Sequence, residues 1–239
     1  MIYAAVLAGG LGTRMSSVIP KQFLPLGEYP IFIHSLVRLL NEEEIEQVWL
    51  GVYADWVDLA VEQIQKYIGD NPRLRITTGG VSREDTLMNI ISGIEASSEI
   101  TDDDIIITHD SVRPFTTPRL IKDIIEKMKT CDACNTIIPV NDTVVQMIDG
   151  ETIDNVPLRK TMFAGQSPQE FKINTLRRAF DSLSDEERLT LTETTKVCML
   201  RNIPIHYVTG DFFNFKITTD YDYKVALSVL DFVNEKMTV

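Results

Sequence analysis

The sequence predicts an α/β fold, with a mainly parallel central sheet flanked by helices. Apolar runs of strand length alternate with amphipathic segments of helical length. Capping signals stand at the helix starts, and a glycine-rich turn closes the first strand. Residues 2–7, 48–52, 74–77, 105–108 and 135–140 read as strands, and residues 31–40, 56–67, 83–96 and 118–129 as helices between them. Ser82 with Asp85 fits a capping box, and Thr117 before Pro118 fits an N-cap followed by proline in the first turn.

After residue 140 the rhythm shortens. Residues 144–147, 153–157 and 161–163 are short apolar pieces, with Asp149-Gly150 as a hairpin-type turn between the first two. This predicts a β-rich excursion over about residues 137–166. A helix over 173–183, a charged loop at 185–188 and a helix over 192–200 follow, then late strands at 206–208 and 215–218. The last helix is expected over 220–233, opened by Thr219 and Asp222 as a further capping box. No linker or repeat divides the 239 residues, so one domain spanning 1–239 is expected.

The formal net charge of -12, from 23 Lys+Arg against 35 Asp+Glu, argues against nucleic acid as a partner. An anionic small substrate must then meet a local cluster of cations. No apolar run approaches the roughly 20 residues that span a bilayer, and residues 1–7 lack a basic leader. The expectation is a cytoplasmic protein with no membrane partner. Cys131, Cys134 and Cys198 are an odd count, and the Cys131–Cys134 spacing has no second pair to complete a zinc site. They read as small side chains where a helix ends and a strand begins.

Leu7-Ala8-Gly9-Gly10-Leu11-Gly12-Thr13-Arg14-Met15 places glycines where a buried strand emerges at its carboxyl end, the edge at which such sheets bind ligands. Glycines let backbone N–H groups approach an anion, and Arg14 adds a forked cation. A dinucleotide fingerprint is absent, because Met15 stands where its third glycine belongs. Pro20-Lys21-Gln22-Phe23 can return a lysine over the same loop, and Arg14 with Lys21 suits a phosphorus in transfer. Gly79 to Thr86 brings glycines, hydroxyls and a helix start to that edge again, and Asp110 with Arg113 closes the strand at 105–108. Asp110 reads either as a magnesium ligand or as half of a surface salt bridge with Arg113.

The joint motifs L-A-G-G-x-G-T-R-M and P-K-Q-F resemble those of the cytidylyltransferases. The resemblance runs over nearly the whole chain and implies a Rossmann-like nucleotide-diphospho-sugar transferase fold with a β-rich dimerisation arm. Two families share the pattern, one acting on methylerythritol phosphate in isoprenoid synthesis and the other on ribitol 5-phosphate for wall polymers such as teichoic acid.

The resemblance also assigns roles. Arg14, Lys21 and Lys216 become the catalytic cations, Lys216 lying in an N-x-K-[IV]-T element. Leu7, Ala8, Gly9, Gly10, Gly12, Thr13, Gly80, Arg83, Thr86 and Asp110 become nucleotide contacts. Ser111, Arg113, Thr143 and Arg159 become acceptor contacts, the last two carried on an arm that completes the site across a homodimer. Asp110 becomes the Mg²⁺ ligand, with Asp211 as a second metal contact. CTP and a sugar-alcohol phosphate are the implied partners. Ser111-Val112 before Arg113, Ser167 before Pro168, and Asp85-Thr86 depart from the pattern common in the isoprenoid enzymes and lean towards ribitol 5-phosphate, with methylerythritol phosphate as the alternative.

Overall fold

The computed structural model describes residues 1–10 and 19–237, with side chains as far as residue 233. The strands are β1 (Ile2–Ala8), β2 (Pro25–Leu26), β3 (Tyr29–Pro30), β4 (Gln47–Val52), β5 (Leu74–Thr78), β6 (Ile105–Asp110), β7 (Ala133–Pro139), β8 (Phe163–Lys172) and β9 (His206–Thr209). The helices are α1 (Ile31–Leu40), α2 (Val57–Tyr67), α3 (Arg83–Ser97), α4 (Pro118–Met128), α5 (Ile173–Asp181), α6 (Asp185–Leu189), α7 (Thr194–Leu200) and α8 (Asp220–Met237). No described helix is long and apolar enough to cross a membrane.

Seven strands form the main sheet in the order β5-β4-β1-β6-β8-β7-β9, and β2 with β3 forms a small hairpin beside it. The pairs β1–β4, β1–β6, β4–β5 and β7–β9 are parallel, whereas β8 runs antiparallel to both neighbours. The continuous apolar run of β1 follows from its place: covered on both faces, it has no solvent side that would call for alternating polar residues. One face packs Tyr3, Leu7, Ile106 and Phe171 under α3, α5 and α7, and the other packs Val6, Leu50 and Ile107 under α1, α2 and α4. The chain goes from β1 to β4 and β5 on one side, then returns to place β6 on the other. Such a reversal leaves a crevice at the carboxyl ends of β1 and β6, and this is where the site forms.

The helix caps form as the sequence predicts. Ser82 and Asp85 exchange both capping-box bonds, Thr117 Oγ1 accepts from the Leu120 amide, and Thr219 and Asp222 form the box that opens α8. Four expectations need correction. Residues 163–172 form a ten-residue strand at the middle of the sheet, where only 161–163 was read as strand. Residues 215–218 are not a strand; Ile217 is buried against the turn after β6 and donates its amide to Val112. The charged loop at 185–188 is a short helix with its own capping box, Ser184 and Glu187. Within the excursion, the described residues show a single bridge, Gln146 to Asn155, and one 3-10 turn at Arg159–Thr161, so the arm holds less strand than its pattern suggests.

The β7–β8 ladder slips between Asn135 and Thr136, leaving Ser167 and Pro168 unpaired on β8. This bulge admits a proline inside a central strand, and it turns the Ser167 hydroxyl towards β6. The cysteines are free thiols, Cys134 and Cys198 both buried, with burial pushing each thiol up to about 12.

Candidate active site

The crevice at the ends of β1 and β6 encloses about 260 Å³ and is lined by the β1 turn, Lys21, Gln22, the α3 start, the β6 end and Lys216. Gly9 stands where a Cβ would come within 2.8 Å of Thr86 Oγ1, so only glycine lets the loop lie against α3. Among the described residues a Cβ on Gly10 would meet nothing within 4 Å. Gln22 fixes the turn by donating to the carbonyls of Ala8 and Gly10, at 2.9 and 3.0 Å. Lys21, in a single 3-10 turn with Gln22 and Phe23, is buried against the cleft.

Asp110 is the hub. Its Oδ1 takes Arg83 Nε at 3.3 Å, and its Oδ2 takes Arg113 Nε at 3.3 Å and Lys216 Nζ at 3.0 Å. Burial would raise the Asp110 carboxyl, but the charges of Arg83, Lys216 and Arg113 outweigh it and hold the group far below the usual carboxylate range. It stays ionised near neutral pH, and it is surrounded by more positive than negative charge. A polyanion is what such a cluster lacks.

A buried network fixes this hub from behind. His109 is fully buried, and its Nε2 lies 3.0 Å from the Arg113 carbonyl, which can only accept. That assigns the proton to Nε2 and leaves Nδ1 to accept from Ser167 Oγ at 3.2 Å. Ser167 Oγ in turn accepts the Asp110 amide at 3.0 Å, and Asn214 donates to the Ser167 carbonyl at 2.7 Å. Burial pulls the His109 ring down to about 4, so it stays neutral and serves as a strut.

The structure thus brings together Leu7, Gly9, Gly10, Lys21, Arg83, Thr86, Asp110, Ser111 and Lys216 on one cleft. Gly12, Thr13 and Arg14 lie outside the described residues. Ala8 and Gly80 stand just behind the lining; Ala8 serves through its carbonyl, and Gly80 donates its amide to Thr86 Oγ1 at 3.0 Å. The Thr86 hydroxyl spends its hydrogen on the Ser82 carbonyl, so it shapes the loop and can offer a ligand only an acceptor. Arg113 is buried behind Asp110, with its second bond to the Asn214 carbonyl at 2.7 Å. Thr143 and Arg159 are exposed on the arm, Arg159 donating to the Asn141 carbonyl, and neither lines the cleft of its own chain.

Asp211 is not brought to the cleft. Its carboxylate takes Thr117 Oγ1 at 3.0 Å and Arg119 at 2.9 Å, tying the start of α4 to the segment after β9, which corrects its reading as a second metal contact. Among the described residues no group of three or more His, Cys, Asp or Glu is placed to hold a metal. Ser167 precedes Pro168 and Asn214 opens the N-x-K-[IV]-T element, yet only the fold shows that they brace Asp110. Glu193 carried no sequence signal beyond a hydroxyl-rich stretch.

Residues 2–231 match the family described as IspD: 2-C-methyl-D-erythritol 4-phosphate cytidylyltransferase. The chain belongs to this family. It is accordingly a CTP-dependent nucleotidyltransferase. Among solved structures it resembles 4-diphosphocytidyl-2C-methyl-D-erythritol synthase from Anaerococcus prevotii, with 24% identity, a TM-score of 0.78, and coverage of 97% of this chain and 96% of the other. It also resembles the 2-C-methyl-D-erythritol 4-phosphate cytidylyltransferase of Francisella tularensis (23% identity, TM-score 0.78, 94% and 97% covered). The enzyme of that name from Thermus thermophilus is a further neighbour (22% identity, TM-score 0.73, 96% and 98% covered). At these identities the likeness carries the fold.

Proposed function

We propose that the enzyme transfers the cytidylyl group of CTP to ribitol 5-phosphate, giving CDP-ribitol and pyrophosphate. The observation that carries the choice of acceptor is Ser111, which lines the cleft directly after Asp110 at a position where the isoprenoid enzymes commonly present alanine. A hydroxyl there suits a pentitol hydroxylated at every carbon, whereas a methyl wall suits methylerythritol. The second reading, methylerythritol 4-phosphate, is favoured by the family description and by the names of the three solved relatives.

In this mechanism an oxygen of the acceptor phosphate attacks the α-phosphorus of CTP in line. A new oxygen–phosphorus bond forms as the bond to the β-phosphate oxygen breaks and pyrophosphate leaves. The attacking phosphate is already anionic near neutral pH, so no general base is needed. The difficulty is bringing two anions together, and Lys21, Lys216 and Arg83 supply the opposing charge; by the resemblance Arg14, outside the described residues, joins them.

Asp110 fits a divalent cation: it is a hard oxygen donor, ionised near neutral pH, at the cleft wall. With Arg83, Arg113 and Lys216 around it, it would hold Mg²⁺ only together with the nucleotide phosphates, which offset the local positive charge. When bound, Mg²⁺ supplies Lewis-acid stabilisation of phosphate charge.

The arm supports a homodimer in which Thr143 and Arg159 hold the acceptor phosphate in the neighbouring cleft. Met147, Ile148, Ile153, Val156, Leu158 and Phe163 are all exposed along it, between 44% and 79%. So much apolar surface on one extension calls for a covering partner.

Pyrophosphate release from CTP with each acceptor in turn tests the proposal. A higher kcat/KM with ribitol 5-phosphate is expected. Turnover with methylerythritol 4-phosphate alone would reverse the assignment, and none with either would remove both acceptors.

A further inference from the structure

Glu193 stands just ahead of α7, at the end of the run Leu191-Thr192-Glu193, and none of the roles above uses it. Its carboxylate receives the side-chain amide of Gln169, a buried residue of β8 two positions beyond Ser167. The next residue, Thr194, is also buried and accepts a hydrogen bond from Arg83 Nη1 through its hydroxyl. Arg83 is therefore gripped from two sides, by Asp110 on β6 and by the Glu193-Thr194 corner. Glu84 is a further carboxylate near the guanidinium, at 3.7 Å.

A guanidinium offers five N–H donors in a fixed plane, so its value to an anion depends on how that plane is held. Here one N–H goes to Asp110 and one to Thr194, and the residue lines the cleft. Gln169 is almost completely buried, so the corner it tethers is fixed to the sheet rather than to a surface loop. Burial raises the Glu193 carboxyl, with Arg83 the leading charge that opposes it, and Asp110, Lys216 and Arg113 the other charged groups facing it.

We propose that Glu193, anchored by Gln169, is a positioning residue that sets the plane of the Arg83 guanidinium for the nucleotide phosphates. The inference rests on Arg83 being a nucleotide contact, as in the proposed function. Without the Gln169–Glu193 tether, the Thr194 hydroxyl is no longer fixed to the sheet, so Arg83 keeps Asp110 but loses a firm second side. Nucleotide affinity then falls while the chemistry at the α-phosphorus is less affected.

The test is CTP binding by titration calorimetry on the full chain with Mg²⁺, in a double-mutant cycle. Glu193→Gln keeps the size but weakens the charge-assisted bond from Gln169 and should raise the Kd for CTP about 10-fold, while Glu193→Asp, which keeps the charge, should recover most of the loss. In an Arg83→Ala background, Glu193→Gln should add no further loss. In turnover the same substitution should raise the KM for CTP by more than it lowers kcat. Wild-type affinity in Glu193→Gln, or losses that multiply in the double variant, would overturn the proposal. If Arg83→Ala weakens CTP binding and Glu193→Gln does not, the positioning role alone fails. If Arg83→Ala leaves CTP binding unchanged, the nucleotide role of Arg83 fails first.

Discussion

Asp110→Asn removes one negative charge from the midst of three cations and leaves the shape of the side chain almost unchanged. The carboxylate is 11% exposed, and its partners Arg113, Arg83 and Lys216 are 11%, 24% and 38% exposed. Breaking a fully buried pair by removing one partner costs about 3–5 kcal/mol, because the other charge is left uncompensated. Arg113 meets that condition; Arg83 and Lys216 are partly solvated and count for less. A loss of about 2–4 kcal/mol follows, which for a chain of this size is roughly 5–15 °C in Tm.

The pH dependence has a definite sign. The folded carboxyl is depressed below its unfolded value, so its stabilisation is present above the unfolded value and is lost only as pH falls through the folded one. The difference between wild type and Asp110→Asn should therefore be constant from about pH 6 to about pH 8, by thermal denaturation followed by circular dichroism. A Tm within about 1 °C of wild type would mean that the three cations do not depend on Asp110 for their charge balance, and the picture of the hub would be wrong.

Glu170 offers the opposite case. It is fully buried on β8 with no hydrogen-bond partner at either oxygen among the described residues, and burial raises its carboxyl well above the ordinary value, Glu44 adding to the effect. Stability tied to its proton is lost as pH rises, so Glu170→Gln should stabilise the protein by about 1–3 kcal/mol at about pH 8 and by less at about pH 5, in urea titrations at the two pH values. Gly80→Ala would set a Cβ 2.3 Å from Asp85 Cβ and should cost about 1–3 kcal/mol in the same assay. Among the described residues a Cβ at Gly10 would meet no atom, so Gly10→Ala should keep its Tm while raising the KM for CTP. Asp211→Asn should lose about 1 kcal/mol with the Arg119 and Thr117 contacts, yet turn over within roughly 3-fold of wild type. A fall of orders of magnitude would restore Asp211 to the metal site.

The sequence carries the strands and helices of the first half because those elements obey simple patterns. β1 and β4 are uninterrupted apolar runs, and Ser82, Thr117 and Thr219 announce their helices. β8 escapes such reading because Gln166-Ser167-Pro168-Gln169-Glu170 is polar and contains a proline, both of which argue against a central strand. Its burial is made tolerable by the bulge and by bonds such as Thr136 Oγ1 to the Pro168 carbonyl at 2.6 Å, which only the assembled sheet provides. Residues 215–218 mislead the other way, since Phe215 and Ile217 alternate like a strand while packing against the β6 turn and the hairpin rather than a sheet edge.

The site divides along the same line. Lys21, Asp110 and Lys216 stand in motifs, whereas Gln169 and Glu193 gain their meaning from a contact made across more than 20 residues of chain. Asp211 shows the limit from the other side: an acid close in sequence to Lys216 is turned away to pair with Arg119.

The central claim is that the cleft around Asp110 carries out cytidylyl transfer with cations as its working groups. It is tested most directly by pyrophosphate release from CTP at saturating acceptor in Lys216→Ala, with Tm measured alongside. Lys216 is partly exposed and lies 3.0 Å from Asp110, so its loss should leave the fold intact. Turnover should fall about 100-fold or more at a Tm close to wild type. Near-normal turnover at that Tm would contradict the claim.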